Sequence, residues 1–271
     1  MADGRSPGTQ ELRAAKRELL AAILEEQGID VQSAQKIYPT QLRDNLPLSF
    51  AQERLWFLDQ LDPGHAVYNI CRAHRLTGPI DINVLESSLN EVVRRHEVLR
   101  ARFPAVDGRP TQVVMAALSL CVKVIDLHEV APTDREAELL RVANEEARQS
   151  FDLTMGPLIK VALLRVSDND HLLVFALHQI ICDGRSVDIF LRELEKIYQA
   201  FLTGQSLTVP PPPVQFPDFV LFQRERLKSD VLQSQLSYWK NRLGTTIPRL
   251  ELPTDRPRST VQRLRGAREV I

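Results

Sequence analysis

The chain has 271 residues, of which 44% are hydrophobic and 25% charged, and its formal net charge is −1. This is the composition of an ordinary soluble globular protein, and the near-neutral charge indicates neither a nucleic-acid nor a membrane-surface partner. No apolar run approaches the ~18–20 residues that a membrane span needs. The three cysteines are odd in number and far apart, which favours reduced thiols in a cytoplasmic protein over a disulfide framework.

The N-terminal part of the sequence predicts a polar tail followed by an amphipathic helix. Residues 11–27 place a stripe of apolar side chains among Glu, Lys and Arg, namely Leu12, Leu19, Ile23 and Leu24. Gly28 ends this predicted helix. We therefore predict two parts: residues 1–46 form a tail and linker helix, and residues 47–271 form the main domain.

Hydrophobic periodicity predicts a mixture of helices and strands along the main domain. In chain order the predicted elements are helix 49–61, strand 67–76, helix 82–98, strands 100–103 and 110–115, helix 135–150, strands 158–166 and 171–177, and helices 186–201 and 220–242. Ser49 is a suitable N-cap, Asp107-Gly108 predicts a hairpin turn, and the four prolines at 210–213 predict a stiff connector. Together these elements indicate an α/β fold with an open, mixed sheet covered by helices.

One strand-to-helix junction concentrates the candidate functional residues. The apolar run 172–177 leads into His178, and an amphipathic stretch begins shortly after Asp183, so a strand should end at the histidine and a helix should begin near the aspartate. Such a turn can direct both side chains into a cleft.

Cys182 has two conceivable chemical roles at this junction, as a metal ligand and as a nucleophile. Together with His178 it has the spacing of a metal-ligand pair, but no second pair lies nearby and zinc sites usually need four ligands. A nucleophilic thiol would need a base beside it. We therefore predict no metal site and a small buried cysteine.

The segment His178-Gln179-Ile180-Ile181-Cys182-Asp183-Gly184 resembles the HHxxxDG signature of condensation domains from nonribosomal peptide synthetases. Three further segments resemble elements of the same family in the same order: residues 49–58 resemble SxAQxRLWxL, residues 95–103 resemble RHExLRxxF, and residues 216–224 resemble YxDxAxWQR. The resemblance extends from Pro47 to about Ala267. It is strongest to the subtype that joins two L-configured residues.

The resemblance implies a fold related to chloramphenicol acetyltransferase, in which two similar lobes form a V around an active-site tunnel. The chain matches the first lobe and the start of the crossing to the second, whereas the motifs of the second lobe, such as GxFVNT, are absent. We therefore expect a fragment that lacks one wall of its active site.

The resemblance also implies amide-bond formation between two carrier-bound thioesters. Gln179 occupies the position of the family's catalytic histidine, and a glutamine amide cannot take up a proton. Gly184 is expected to keep the substrate channel open, with a tight turn as its alternative explanation. His178 and Asp183 are expected to be structural, with the aspartate buried and paired with Arg100, or second with Arg95.

No tightly bound cofactor is implied, because the substrates arrive on the phosphopantetheine arms of upstream and downstream peptidyl carrier proteins. An adjacent adenylation domain is the other implied partner. The helix predicted over residues 11–27 is either a docking helix for the upstream carrier protein or a helix that packs on its own domain.

The sequence is also compatible with two alternative functions. One is a catalytically degenerate condensation-like domain that binds carrier proteins or recruits partners, which Gln179 favours. The other is an epimerisation or ester-forming relative, which shares the HHxxxDG frame; the likeness to the subtype joining two L-residues argues against it.

Overall fold

The structure is a computed structural model that describes residues 16, 19, 22–23, 37–41, 43, 45–228, 230–244, 247, 250 and 253–254. The chain divides into two compact units, Met1–Tyr38 and Pro39–Ile271. In the first unit the four described residues from 16 to 23 are helical, and the rest of the helix predicted over residues 11–27 lies outside the described residues. The predicted passage toward a second lobe, residues 254–267, also lies outside them except for Thr254.

The second unit contains the main domain, and its helices and strands are numbered here in chain order. The described helices are α1 (Phe50–Leu61), α2 (Ile82–Arg95), α3 (Arg135–Ala147), α4 (Gly184–Thr203), α5 (Phe216–Arg226) and α6 (Asp230–Leu243), with short 3-10 helices at Ala66–Tyr68 and Glu97–Arg100. The described strands are β1 (Asn69–Thr77), β2 (Ala101–Arg102), β3 (Ala105–Val106), β4 (Arg109–Pro110), β5 (Val113–Val114), β6 (Lys123–Asp126), β7 (Ile159–Ser167) and β8 (Asp170–His178).

A mixed four-stranded sheet in the order β1-β8-β7-β6 forms the centre of this unit. β8 runs antiparallel to both of its neighbours, with Asn69 opposite His178 at one end of the β1 pairing, while β6 runs parallel to β7. The open, mixed α/β sheet predicted from the sequence is thus confirmed. β6 was not predicted: it has only four residues, of which Lys123, Val124 and Asp126 are exposed, so no apolar alternation marks it.

Helices cover both faces of this sheet, because β7 and β8 present alternate side chains to opposite sides. One core joins α2 and α4 to the face that includes Leu163 and Phe175, and a second joins α3 to the face that includes Leu164 and Val174. This two-sided burial explains why β7 and β8 read as nearly continuous apolar runs in the sequence.

Local sequence signals fix several element boundaries. Ser49 forms the predicted N-cap of α1 in a capping box with Gln52, and Asp81 caps α2 by accepting a hydrogen bond from Val84 N at 3.0 Å. The predicted hairpin turn is also confirmed, since Asp107 and Gly108 adopt positive φ values of 50° and 75° between β3 and β4.

The single helix predicted over residues 220–242 is wrong. The structure has α5, which begins earlier at Phe216, and a separate α6 beginning at Asp230, with a turn at Leu227 and Lys228 between them. Pro217 in the first turn of α5 is compatible with this earlier start, because proline suits the first turn of a helix. Within the described part of the chain, no helix combines the length and apolarity needed to cross a membrane.

Candidate active site

The predicted strand-to-helix junction is confirmed. β8 ends at His178, and α4 begins at Gly184 with Asp183 as its N-cap. The backbone N–H of Gln179 donates to the carbonyl oxygen of Tyr68 at 2.8 Å, so the chain is still held to the segment before β1 one residue past the strand. The turn that carries the HHxxxDG-like segment is therefore anchored by backbone hydrogen bonds.

His178 packs inward, as the resemblance implied. Its side chain is 2% exposed and makes edge-to-face contacts with Tyr68 and Phe151, with ring centroids 6.3 Å apart in each case. Nδ1 accepts a hydrogen bond from Ile180 N at 3.1 Å, which leaves the proton of the neutral ring on Nε2. Burial lowers the pKa of His178 to about 4. This imidazole is therefore a neutral structural group at physiological pH.

Asp183 is exposed and forms no ion pair with Arg100 or Arg95, so the prediction of a buried ion pair at this aspartate is wrong. Its Oδ1 accepts hydrogen bonds from Ser186 N at 2.7 Å and Ser186 Oγ at 2.6 Å. These bonds lower the pKa of the Asp183 carboxyl. The aspartate can remain ionised at the surface because solvent and the first turn of α4 satisfy it, so it needs no buried cation.

The two arginines considered as partners of Asp183 interact elsewhere. Arg95 is buried and pairs through Nε with Glu193 Oε2 at 3.1 Å, and the same oxygen lies 3.0 Å from His96 Nε2. Arg100 donates to the carbonyl oxygen of Met115, and its buried Nε has no hydrogen-bond partner among the described residues. Arg100 thus stabilises the backbone near β5.

Gln179 and Gly184 both lie on the open side of the junction. The Gln179 side chain is exposed and makes no hydrogen bond with the described residues. A Cβ added at Gly184 would meet none of the surrounding atoms within 4 Å, and its φ is not in the left-handed region. The described part of the fold therefore gives no conformational or packing reason for glycine at this position, so the tight-turn explanation loses its support.

All four motif segments (49–58, 95–103, 178–184 and 216–224) border one cavity of about 440 Å³. Its lining includes side chains from each of them: Ser49 and Gln52, His96 and Leu99, Gln179 and Asp183, and Phe216, Phe219 and Gln223. A volume of this size is in the range of small-molecule sites. Sequence segments that lie far apart in the chain are thus brought to one place.

Hydrogen bonds between side chains and backbone hold the four segments together. They are Gln52 Nε2 to Ile180 O at 3.1 Å, Trp56 Nε1 to Phe103 O at 3.1 Å, and Phe50 N to Gln223 Oε1 at 3.3 Å. The first of these is buried, where an unsatisfied polar group is costly. Much of the motif sequence therefore builds the frame of the cavity.

The titratable groups that line the cavity are His96, Cys182 and Asp183. Burial raises the pKa of the Cys182 thiol to about 12, and its Sγ donates to His178 O at 3.6 Å. This thiol is a poor nucleophile, which agrees with the prediction of a small buried cysteine. Among the described residues there is no group of three His, Cys, Asp or Glu side chains that could hold a metal ion.

Sequence reasoning missed three residues that shape this region. Ser186 and Ile189 line the cavity from the first turns of α4, and the spacing from Asp183 gave a usable helical signal for them. Glu193, which holds both Arg95 and His96, gave no local signal, because its partners are almost one hundred positions earlier in the chain.

The profile of the family described as Condensation domain matches residues 42–271. The chain is 41% identical over 245 residues to one of the proteins that make up the linear gramicidin synthase of Brevibacillus parabrevis, and the match covers 90% of this chain and 3% of that protein. It is similar to the solved complex of the X-domain and OxyB from teicoplanin biosynthesis, with a TM-score of 0.73, 27% identity and coverage of 84% of this chain and 49% of the solved one.

A second solved structure is the first condensation domain of the calcium-dependent antibiotic synthetase in complex with substrate analogue 2a. Here the TM-score is 0.65 and the identity 26%, over 73% of this chain and 47% of the solved one. The chain thus spans about half the length of the solved chains and a few per cent of the gramicidin synthase protein. With its motif segments around one cavity and its sequence matched along most of its length, the chain belongs to the condensation domain family of nonribosomal peptide synthetases.

Proposed function

We propose that this chain forms one lobe of a condensation domain that joins two carrier-bound thioesters, with its activity impaired at Gln179. The convergence of the four motif segments on one cavity, with Gln179 at its lining, is the observation that carries the proposal. Solved relatives about twice as long as the region matched here support a second lobe opposite this cavity.

The proposed reaction forms one C–N bond and breaks one C–S bond. The amine of the acceptor aminoacyl thioester attacks the donor carbonyl carbon, the carrier thiol leaves, and the amine gives up a proton. Gln179 can donate and accept hydrogen bonds but cannot receive that proton. His178 cannot replace it, because its ring is buried and its pKa is about 4. If the family histidine acts as a general base, its loss costs roughly 10²–10⁴-fold in rate.

The proposal includes the partners and the compartment. Substrates reach the cavity on phosphopantetheine arms of upstream and downstream peptidyl carrier proteins, next to an adenylation domain and in the cytoplasm, with no tightly bound cofactor. The helix predicted over residues 11–27 guides the upstream carrier protein. Deletion of residues 1–38 should then reduce transfer from an upstream protein. An unchanged melting temperature of the remaining chain would support docking, whereas a lower melting temperature with intact transfer would rule it out.

The test is peptide formation from two loaded carrier proteins by the chain extended to the full length of the solved condensation domains. We expect Gln179→His to raise the rate by roughly 10²-fold or more. Gln60→His is the matched control, because it adds an imidazole at an exposed position of α1 that does not line the cavity. Equal rates for the Gln179, Gln179→His and Gln60→His proteins would contradict the proposed impairment. The unextended 271-residue chain should form no peptide in either form, because a condensation between two tethered substrates depends on both being held.

A second candidate is a degenerate condensation-like domain that binds carrier proteins or recruits a partner. Gln179 favours it, and so does the similarity to an X-domain that was solved in complex with OxyB. This function predicts that loaded carrier proteins bind the extended chain while Gln179→His still yields no peptide. A large gain of activity in Gln179→His would favour the first candidate.

A further inference from the structure

β1 lies at one edge of the four-stranded sheet, and among the described residues no strand pairs with its outer side. Gly78 N donates to Asn169 O just beyond the pairing with β8, so the even-numbered residues of β1 make the hydrogen bonds to β8. The odd-numbered residues therefore direct their N–H and C=O groups away from the sheet. After the first residue of the strand, these are Cys71, Ala73, Arg75 and Thr77. A row of outward main-chain groups of this kind can pair with a further strand.

A second cavity, of about 510 Å³, lies beside the C-terminal half of β1 and shares no lining residue with the cavity beside Gln179. His74 lines it and contacts Phe175 edge-to-face, with ring centroids 6.5 Å apart, so the cavity lies on the sheet face that α2 and α4 cover. A strand added to β1 would place every second side chain on this face. The apolar walls of the cavity can hold one of them; they include Leu76, Leu85, Leu173, Phe175, Leu191 and Leu194.

Arg72 supplies a positive charge at the outer edge itself. It is exposed, its Nη1 donates to the carbonyl oxygen of Cys71 at 3.0 Å, and it forms no ion pair within the described part of the chain. Arg75 is already paired with Asp170 at 2.7 Å and with Glu136 at 3.1 Å. A carboxylate on an added strand would therefore find an unpaired guanidinium at Arg72.

A second copy of this chain fits the edge poorly. Pairing of β1 with β1 would bring Arg72 and Arg75 of one chain close to the same residues of the other. Like charges on paired strands are unfavourable, and charged side chains on an edge strand oppose such self-pairing. The charge at this edge therefore favours a foreign strand of acidic character.

We propose that the outer edge of β1 binds an extended, acidic segment of a partner protein. The segment carries an acidic side chain beside Arg72 and, four residues along, an apolar side chain in the second cavity near Leu76. Main-chain hydrogen bonds provide affinity, whereas Arg72 and the cavity select the sequence. The proposal does not depend on the proposed catalysis, because this surface shares no residue with the lining of the cavity beside Gln179.

The test is binding of capped peptides of nine residues, the length of β1, to the 271-residue chain by calorimetry or NMR titration. Each peptide consists of threonines with one glutamate and one leucine four positions apart, in either order, because an added strand can run in either direction. We expect one order to bind more tightly. In that peptide, lysine in place of glutamate should weaken binding about fivefold, and alanine in place of leucine about tenfold.

One-sided N-methylation of the tighter peptide tests whether it binds as a strand. Successive amides of an added strand point alternately toward β1 and away from it. Methyl groups on the amides of one side should abolish binding, whereas methyl groups on the other side should change it by less than about twofold. Equal effects of the two methylated peptides would contradict strand pairing.

Ala73→Pro removes one outward N–H and keeps the N–H groups that bond to β8, and proline is tolerated on sheet edges. It should weaken the tighter peptide about tenfold or more, with an unchanged circular dichroism spectrum. Arg72→Glu should weaken the glutamate peptide about fivefold and strengthen the lysine peptide by a similar factor. Arg109→Glu is the matched control: it makes the same charge change at an exposed position of β4, in a separate sheet, and should alter neither affinity.

Three results would overturn the inference. They are the absence of binding by either peptide order at millimolar concentration, equal affinities of the glutamate and lysine peptides for the unmodified chain, and a dimer in sedimentation experiments that Ala73→Pro abolishes. The last result would assign the edge to a second copy of this chain. If Ala73→Pro fails to fold, the two N-methylated peptides decide, because they are measured on the unmodified chain.

Discussion

Replacement of Asp183 by alanine measures what this motif aspartate contributes to the fold. The side chain caps α4, a helix of 20 residues, through its bonds to Ser186. Loss of an N-cap costs about 0.5–2 kcal/mol, whereas loss of one partner of a buried ion pair costs about 3–5 kcal/mol. Because Asp183 is exposed and unpaired among the described residues, we expect the smaller value for Asp183→Ala.

The expected loss corresponds to a modest shift of the melting temperature. For a domain of 150–250 residues, 1 kcal/mol corresponds to roughly 2–4 °C, so Asp183→Ala should melt about 1–8 °C lower. Asp183→Asn keeps the cap and loses only the attraction of a negative charge to the helix N-terminus, about 0.3–1 kcal/mol. Asp188→Ala, which removes the same charge from an exposed position inside α4, should change stability by less than about 0.5 kcal/mol.

Urea unfolding followed by circular dichroism at pH 7 gives the unfolding free energies of these variants. A folded-state pKa below the unfolded value means that the ionised Asp183 stabilises the fold above about pH 3.9 and that this contribution disappears as the pH falls through the folded pKa. The difference between the unmodified chain and Asp183→Asn should therefore close under acid. A loss of about 3 kcal/mol or more in Asp183→Ala, or equal losses in the alanine and asparagine variants, would refute this account.

Three further predictions concern stability and reactivity. Arg95→Ala should lower the unfolding free energy by about 3 kcal/mol, because it removes the guanidinium that pairs with the partly buried Glu193. Arg94→Ala breaks a neighbouring exposed ion pair and should cost at most about 1 kcal/mol. Equal costs would contradict the buried network. The pKa of His178 is lowered to about 4, so the unfolded chain binds a proton at this histidine before the folded chain does. The unfolding free energy should therefore fall by about 3 kcal/mol between pH 6.5 and pH 4, and the His178→Asn variant should not show this fall. Iodoacetamide at pH 8 should modify the exposed Cys121 and spare Cys182, whose pKa is about 12; peptide mapping that finds both modified in the folded chain would contradict this assignment.

The sequence predicted the features of the fold that depend on neighbouring residues. The end of β8 at His178, the start of α4 next to Asp183 and the cap at Ser49 each rest on a few adjacent residues, and each is confirmed. The turn at Asp107-Gly108 is local in the same way, because its two residues adopt the positive φ values that the turn needs.

Features that depend on tertiary contacts were predicted less well. The expected ion pair between Asp183 and Arg100 is not found. Asp183 accepts hydrogen bonds from Ser186, and Arg100 donates to the carbonyl oxygen of Met115. The resemblance to the family gave no information on these contacts. Helix α5 ends at Arg226 although the sequence there contains neither glycine nor proline, so no local signal marked the break before α6. The convergence of four segments on one cavity also has no local signature, since it arises from long-range packing.

Gln179 is held in place by its main chain, so the fold of the junction does not depend on the side chain at this position. Any residue except proline at position 179 would donate the same backbone hydrogen bond to the carbonyl oxygen of Tyr68. The Gln179 side chain makes no hydrogen bond with the described residues. Exchanges between glutamine, histidine and other side chains at this position should therefore be almost free of stability effects. The position can gain or lose acid–base chemistry by single substitution, and stability measurements alone would not reveal which form a given domain has.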